Sequence, residues 1–163
     1  MTATIKIRKA QLHEKAALTD LCLRSKQSNG YDDAFMAACV EEMSVQDSWF
    51  QEDDFWVAET TDGKLVGCIR LVKHSSNDNG ELATLFVEPD AHGNGIGRLL
   101  YETLLATARE LNLGRIGLDA DPEAEPFYER MGFRTIGRAP SGSIPGRTLP
   151  RMELSLALDE QSS

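Results

Sequence analysis

Apolar and polar residues alternate at the start of the chain, where Ile5 and Ile7 stand among lysines and an arginine, and this period of two predicts a short strand. Leu12, Ala16, Leu18, Leu21 and Cys22 then recur at helical spacing until a polar stretch over 25–30 breaks the pattern. A second helix is expected with Phe35, Met36, Cys39, Val40 and Met43 on one face. Residues 55–59 and 65–71 read as strands, and Asp62-Gly63 between them predicts a hairpin turn. A polar loop over 75–80 leads to a strand at 81–87. From Ile96 onward, Leu99, Leu100, Leu104, Leu105, Ala108 and Leu111 form the stripe of a long amphipathic helix. Residues 115–119 are a short strand. Asp121 and Pro122 suit an N-cap and a first helical position, and Gly132 suits the stop. A strand near 133–138, a loop over 139–150 and a strand alternating at Met152, Leu154 and Leu156 complete the chain.

This order predicts one α/β (α+β) domain over 1–158, with a flexible C-terminal tail at 159–163. Its central sheet is expected to be mixed, largely antiparallel and flanked by helices, with about seven strands.

A chain of 163 residues has the size of a single domain, and its 41% hydrophobic and 26% charged residues are an ordinary globular mixture. No apolar run approaches the ~18 residues of a membrane span, and the N-terminus lacks an apolar signal core. The net charge of −9 argues against a nucleic-acid partner and leans toward a cationic acceptor. Cys22, Cys39 and Cys68 lie singly inside apolar patterns, so they read as buried free thiols in a cytoplasmic protein. His13, His74 and His92 are never paired at ligand spacing, and no metal site is expected.

One stretch stands out from this background: His92-Gly93-Asn94-Gly95-Ile96-Gly97-Arg98, between a strand and an amphipathic helix. Alternate glycines let the backbone approach a ligand closely, and a helix beginning there offers free N–H groups and the positive end of its dipole. Such a turn suits a phosphate or pyrophosphate. A dinucleotide fold would want G-x-G-x-x-G, but Arg98 stands at the third glycine. A P-loop would need a lysine that is absent here. A tight turn with no ligand also remains open.

The run from Glu88-Pro89 through His92, Gly95 and Gly97 to Leu99-Leu100 resembles the acetyl-CoA-binding motif of the GNAT N-acetyltransferase superfamily, written Q/R-x-x-G-x-G/A. Further on, Phe127-Tyr128-Glu129-Arg130-Met131-Gly132-Phe133 resembles the family's F-Y-x-x-x-G-F string. The two occur in the family's order, separated by a helix and a strand. Two positions depart from the pattern. His92 stands where Gln or Arg is usual, and Asp121 lies near a position where many relatives carry an asparagine on the pantetheine arm.

The resemblance implies an acyl-CoA N-acyltransferase-like fold and acetyl transfer from coenzyme A to an amine, in a ternary complex and without a metal. The implied cofactor-binding residues are Leu85, Phe86, Val87, His92, Gly93, Asn94, Gly95, Ile96, Gly97, Arg98, Asp121 and Phe127. An amide around Phe86 or Val87 would polarise the thioester carbonyl. Tyr128 matches the family's proton donor, and Glu81 is the candidate base, with Glu88 and Asp119 as alternatives. On the acceptor side the resemblance points to Ser25, Lys26 and Tyr31 between the first helices and to Arg147 in the proline-rich loop, where a guanidinium could grip a carboxylate. The expected acceptor is a small-molecule amine. A protein N-terminus or lysine, a non-catalytic acyl-CoA-binding module, and a homodimer stay open.

Overall fold

The structure, a computed structural model, describes residues 4–74, 78–91, 93, 95–141 and 144–156. His92 and Asn94 of the glycine turn, and the tail expected at 159–163, lie outside the described residues.

The elements run β1 (Ile5–Lys9), α1 (Lys15–Gln27), α2 (Asp33–Met43), α3 (Asp47–Glu52), β2 (Asp54–Thr60), β3 (Leu65–Lys73), β4 (Asn79–Val87), α4 (Ile96–Glu110), β5 (Arg115–Asp119), α5 (Glu125–Arg130), β6 (Arg134–Pro140) and β7 (Thr148–Ser155). They build a seven-stranded sheet in the order β1-β2-β3-β4-β5-β7-β6. Every neighbouring pair is antiparallel except β4 with β5. On one face Leu100 and Leu104 of α4 pack with Ile69, Leu71 and Ile116. On the other, Leu18, Leu21 and Cys22 of α1 and Cys39 and Met43 of α2 pack with Val57 and Cys68. Among the described residues no helix is long and apolar enough to cross a membrane.

Local chemistry moves several of the expected boundaries. The polar stretch at 25–30 does not end α1, which continues to Gln27 because Ser25 turns inward and is buried while Arg24, Lys26 and Gln27 are good helix formers. Ser25 and Lys26 therefore lie in a helical turn, and the chain reverses at Gly30, whose φ is +98°. The short helix α3 was not expected; it carries Trp49 and Phe50 against Phe55. The expected loop over 139–150 is shorter, because β6 and β7 pair as far as Pro140 and Thr148. Asp121 does cap as expected, its Oδ1 accepting from the Glu123 amide at 2.9 Å, although a 3-10 turn at Pro122–Ala124 precedes α5.

Candidate active site

Two irregularities open the sheet at its centre. Strands β4 and β5 are paired only from Asn79 to Glu81 and Arg115 to Gly117, and beyond that β5 continues with β7 alone. In β4, Thr84 pairs with Arg70 and Leu82 with Leu71, so Ala83 is an extra residue, a bulge. The bulge resets which side chains face which side. Leu82 and Leu85 both pack toward α4, while Phe86 packs toward α1 and α2. A bulge also bends its strand, and here it lies just past the point where the two strands part.

The parting leaves backbone groups of β4 facing a gap. The Glu88 amide donates to the Val66 carbonyl at 2.8 Å. Alternation along the strand turns the Phe86 amide toward β3 as well, and the Leu85 and Val87 amides toward the gap. Of the two amides suggested for the thioester carbonyl, that of Val87 points away from β3 and that of Phe86 toward it.

At the end of β4 the chain makes the glycine turn and enters α4. Gly93 and Gly95 have φ of +88° and +76°, values that side chains other than glycine's rarely tolerate, and nothing lies within 4 Å of a Cβ built on either. Gly95 precedes the helix, and among the described residues no side chain caps the first turn. The amides of Ile96, Gly97 and Arg98 head the helix at its positive end. A Cβ on Gly97 would sit 3.7 Å from the Phe127 ring, which places Phe127 over that first turn. Both the dihedrals and the open space fit a bound diphosphate.

Tyr128 lies on the cleft side of α5. Its ring meets Phe127 and Phe133 edge-on at 5.2 and 5.7 Å. Among the described residues no hydrogen bond reaches its hydroxyl, and the residue lines a cavity of about 410 Å³. Burial pushes its pKa well above the usual tyrosine range, and the charge of Asp121 adds to the effect. Such a phenol stays protonated at neutral pH, so in acid–base chemistry it can give a proton and not take one.

The three carboxylates proposed as base are all engaged. Arg151 contacts Glu81 Oε2 at 2.5 Å and Oε1 at 3.0 Å, and reaches Asp119 at 3.1 Å. Arg24 holds Glu88 through Nε at 2.9 Å and Nη2 at 2.7 Å, tying α1 to the end of β4. Glu81 and Asp119 line the cavity.

The expected acceptor residues come together only in part. Asp121 Oδ2 accepts from Tyr31 at 2.9 Å and from Lys26 at 3.3 Å, and Arg147 donates to the Tyr31 hydroxyl at 2.8 Å. Tyr31 is stacked on Phe35, with centroids 4.1 Å apart. This cluster locks α1, α2, the start of α5 and the last loop together. Arg147 spends its guanidinium there and does not line the cavity, while Ser25 is buried within α1. The residues that do line the acceptor side include Glu42, Trp49, Arg70 and Thr84, none of which stood out in the sequence. The one signal that could have marked Arg70 was a charge in the middle of an apolar strand. Among the described residues there is no cluster that could hold a metal ion.

Comparison with known proteins gives this arrangement a context. Residues 14–156 match the family described as the Acetyltransferase (GNAT) domain. An amino-acid acetyltransferase of Mycobacterium tuberculosis is 43% identical over 89 residues, which cover 53% of this chain and 49% of that protein, so the chain matches about half of that relative's length. The peptidyl-lysine N-acetyltransferase YjaB of Salmonella typhimurium is 29% identical over 151 residues, 92% of this chain and 97% of that protein. Among solved structures, the PaiA N-acetyltransferase of Thermoplasma acidophilum, crystallised with coenzyme A, superposes with a TM-score of 0.76 at 19% identity, covering 93% of this chain and 99% of that one. At that identity the likeness is one of fold.

Proposed function

The chain belongs to the GNAT acetyltransferase family, and from that premise we propose that it transfers an acetyl group from acetyl-CoA to the amine of a small molecule. The observation that carries this reading is the forked sheet, with the glycine turn and the N-terminus of α4 at one end of the gap and Tyr128 lining the cavity. The amides at the head of α4, with the turn at Gly93 and Gly95, hold the diphosphate. The Val87 amide faces the side on which charge develops on the thioester oxygen. The amine attacks directly: a C–N bond forms, the C–S bond breaks, the nitrogen loses a proton and the sulfur gains one. Tyr128 supplies the proton to sulfur. Glu81 accepts the amine proton through water, with Arg151 fixing its carboxylate.

A cavity of about 410 Å³ is within the range of small-ligand sites and supports a small acceptor. Free thiols at Cys22, Cys39 and Cys68 suit the reducing cytoplasm. The resemblance to YjaB along nearly its whole length favours a second reading, a lysine of a protein. Calorimetric titration with acetyl-CoA, followed by thiol release across a panel of amines and lysine peptides, tests both. Binding without amine-dependent thiol release would leave a non-catalytic acyl-CoA module, and absence of binding would remove the reading altogether.

A further inference from the structure

Among the described residues, the acceptor wall contains a cation that its protein partners do not saturate. Arg70 lies on β3, opposite Thr84 of β4, on the face that carries α1 and α2. Its guanidinium lies 3.5 Å from the centroid of the Trp49 ring. Nη1 donates to Asp53 at 2.7 Å, and Nε donates to the Thr84 hydroxyl at 3.2 Å. These three contacts fix the plane and direction of the group. Nη2 has no hydrogen-bond partner among the described residues, yet it is not among the sealed, unsatisfied polar atoms, and Arg70 lines the cavity. The free amino group is therefore open to whatever the cavity holds. Thr84 accepts from Nε, so its own hydroxyl proton is available as a second donor.

The charges around the cavity are unevenly matched. Lys26 is paired with Asp121, and Arg151 with both Glu81 and Asp119. Glu42 has no ion pair among the described residues and also lines the space. Burial lowers the Arg70 pKa despite the neighbouring Asp53, a sign that its charge is incompletely compensated. A ligand bearing an amine and a carboxylate would meet both demands: acidic groups for the amine and two oriented donors for the carboxylate.

Resting on the acetyl-transfer reading above, we propose that Arg70, with Thr84, is the specificity-determining carboxylate anchor of the acceptor site, and that the acceptor is a free amino acid or a close analogue. Carboxylate recognition moves from Arg147, where the sequence placed it, to a residue on the floor of the cleft. A lysine within a peptide lacks the anchored group and is a poor acceptor.

The test compares each free amino acid with its carboxamide, alongside a polyamine and a lysine peptide, in a thiol-release assay with acetyl-CoA. Wild-type protein is expected to prefer the acid over the amide in kcat/KM by roughly ten- to a hundredfold, chiefly through KM, as when a charge-assisted pair is left unmade. In Arg70→Gln that ratio should fall to near one. Should Arg70→Gln fail to fold, Thr84→Val is expected to reduce the ratio, and the deaminated acid is expected to compete with the acceptor in wild-type protein. Equal use of acid and amide, preference for the polyamine or peptide, a ratio unchanged in the variants, or no competition by the deaminated acid each overturns the anchor and leaves acetyl transfer standing. Absence of thiol release with every amine overturns both.

Discussion

Arg151 of β7 grips both carboxylate oxygens of Glu81, the last residue of β4 still paired with β5. Its third contact, to Asp119, lets one guanidinium bridge three strands where the sheet forks. Gly117 makes this reach possible, since a Cβ there would collide with the Arg151 guanidinium. Glu81 thus clamps the fork, and in the proposed reaction the same carboxylate would take the amine proton beside the cavity.

A double-mutant cycle separates them. With the two side chains 29% and 24% exposed, the coupling between Arg151→Gln and Glu81→Gln in urea unfolding should be about 1 kcal/mol, more than a fully exposed pair gives and less than a buried one. If Glu81 takes the amine proton, Glu81→Gln lowers kcat by about a hundredfold or more, and Arg151→Gln lowers it distinctly less. Equal losses in kcat would reduce Glu81 to a clamp.

Tyr128→Phe removes a hydroxyl that has no hydrogen-bond partner among the described residues while keeping the ring against Phe127 and Phe133. Stability and acetyl-CoA affinity should stay close to wild type, and kcat should fall by roughly 10²–10⁴, the usual worth of a positioned acid. Because the pKa of Tyr128 is raised, the wild-type kcat profile should show no descending limb from this group up to about pH 10. Undiminished kcat in Tyr128→Phe would reduce the residue to packing.

Gly95→Val puts a β-branched residue at φ +76°, where space is open but the backbone is strained. The expected stability cost is about 1–3 kcal/mol, and rearrangement of the turn should weaken CoA binding by at least about a hundredfold. Calorimetry on the folded variant reads the binding. Unchanged affinity would mean that the turn only connects β4 to α4.

The cofactor half of the candidate site was legible in the sequence because it is local. A strand, a glycine turn and a helix follow one another without interruption, and Phe127-Tyr128 are adjacent residues on one short helix. The acceptor half was not, because its wall is assembled from α2, α3, β3 and β4. Which side Thr84 faces depends on a one-residue bulge at Ala83, and no pattern of period two reveals an extra residue. Arg147 illustrates the converse: its position in a proline-rich loop was readable, but its engagement with Tyr31 across the fold was not.

That engagement has a consequence at high pH. Tyr31 donates to Asp121 and accepts from Arg147, and burial first, then the Asp121 hydrogen bond, push its pKa up to about 12. In the unfolded chain a tyrosine titrates near 10. A pKa raised on folding means that the protonated hydroxyl favours the native state. This contribution is complete below about pH 10 and is lost as pH rises through about 12. Tyr31→Phe lacks it at every pH. The stability difference between wild type and Tyr31→Phe, from urea unfolding at successive pH values, should therefore be level up to about pH 10 and shrink above it. The tyrosinate absorbance of the native protein should also lose, in the variant, the component that titrates near pH 12, ahead of the still more strongly raised Tyr128. A stability difference that stayed constant through about pH 12, with no titration step near pH 12 lost in the variant, would mean that Tyr31 does not hold α1, α2 and the Arg147 loop together through its proton.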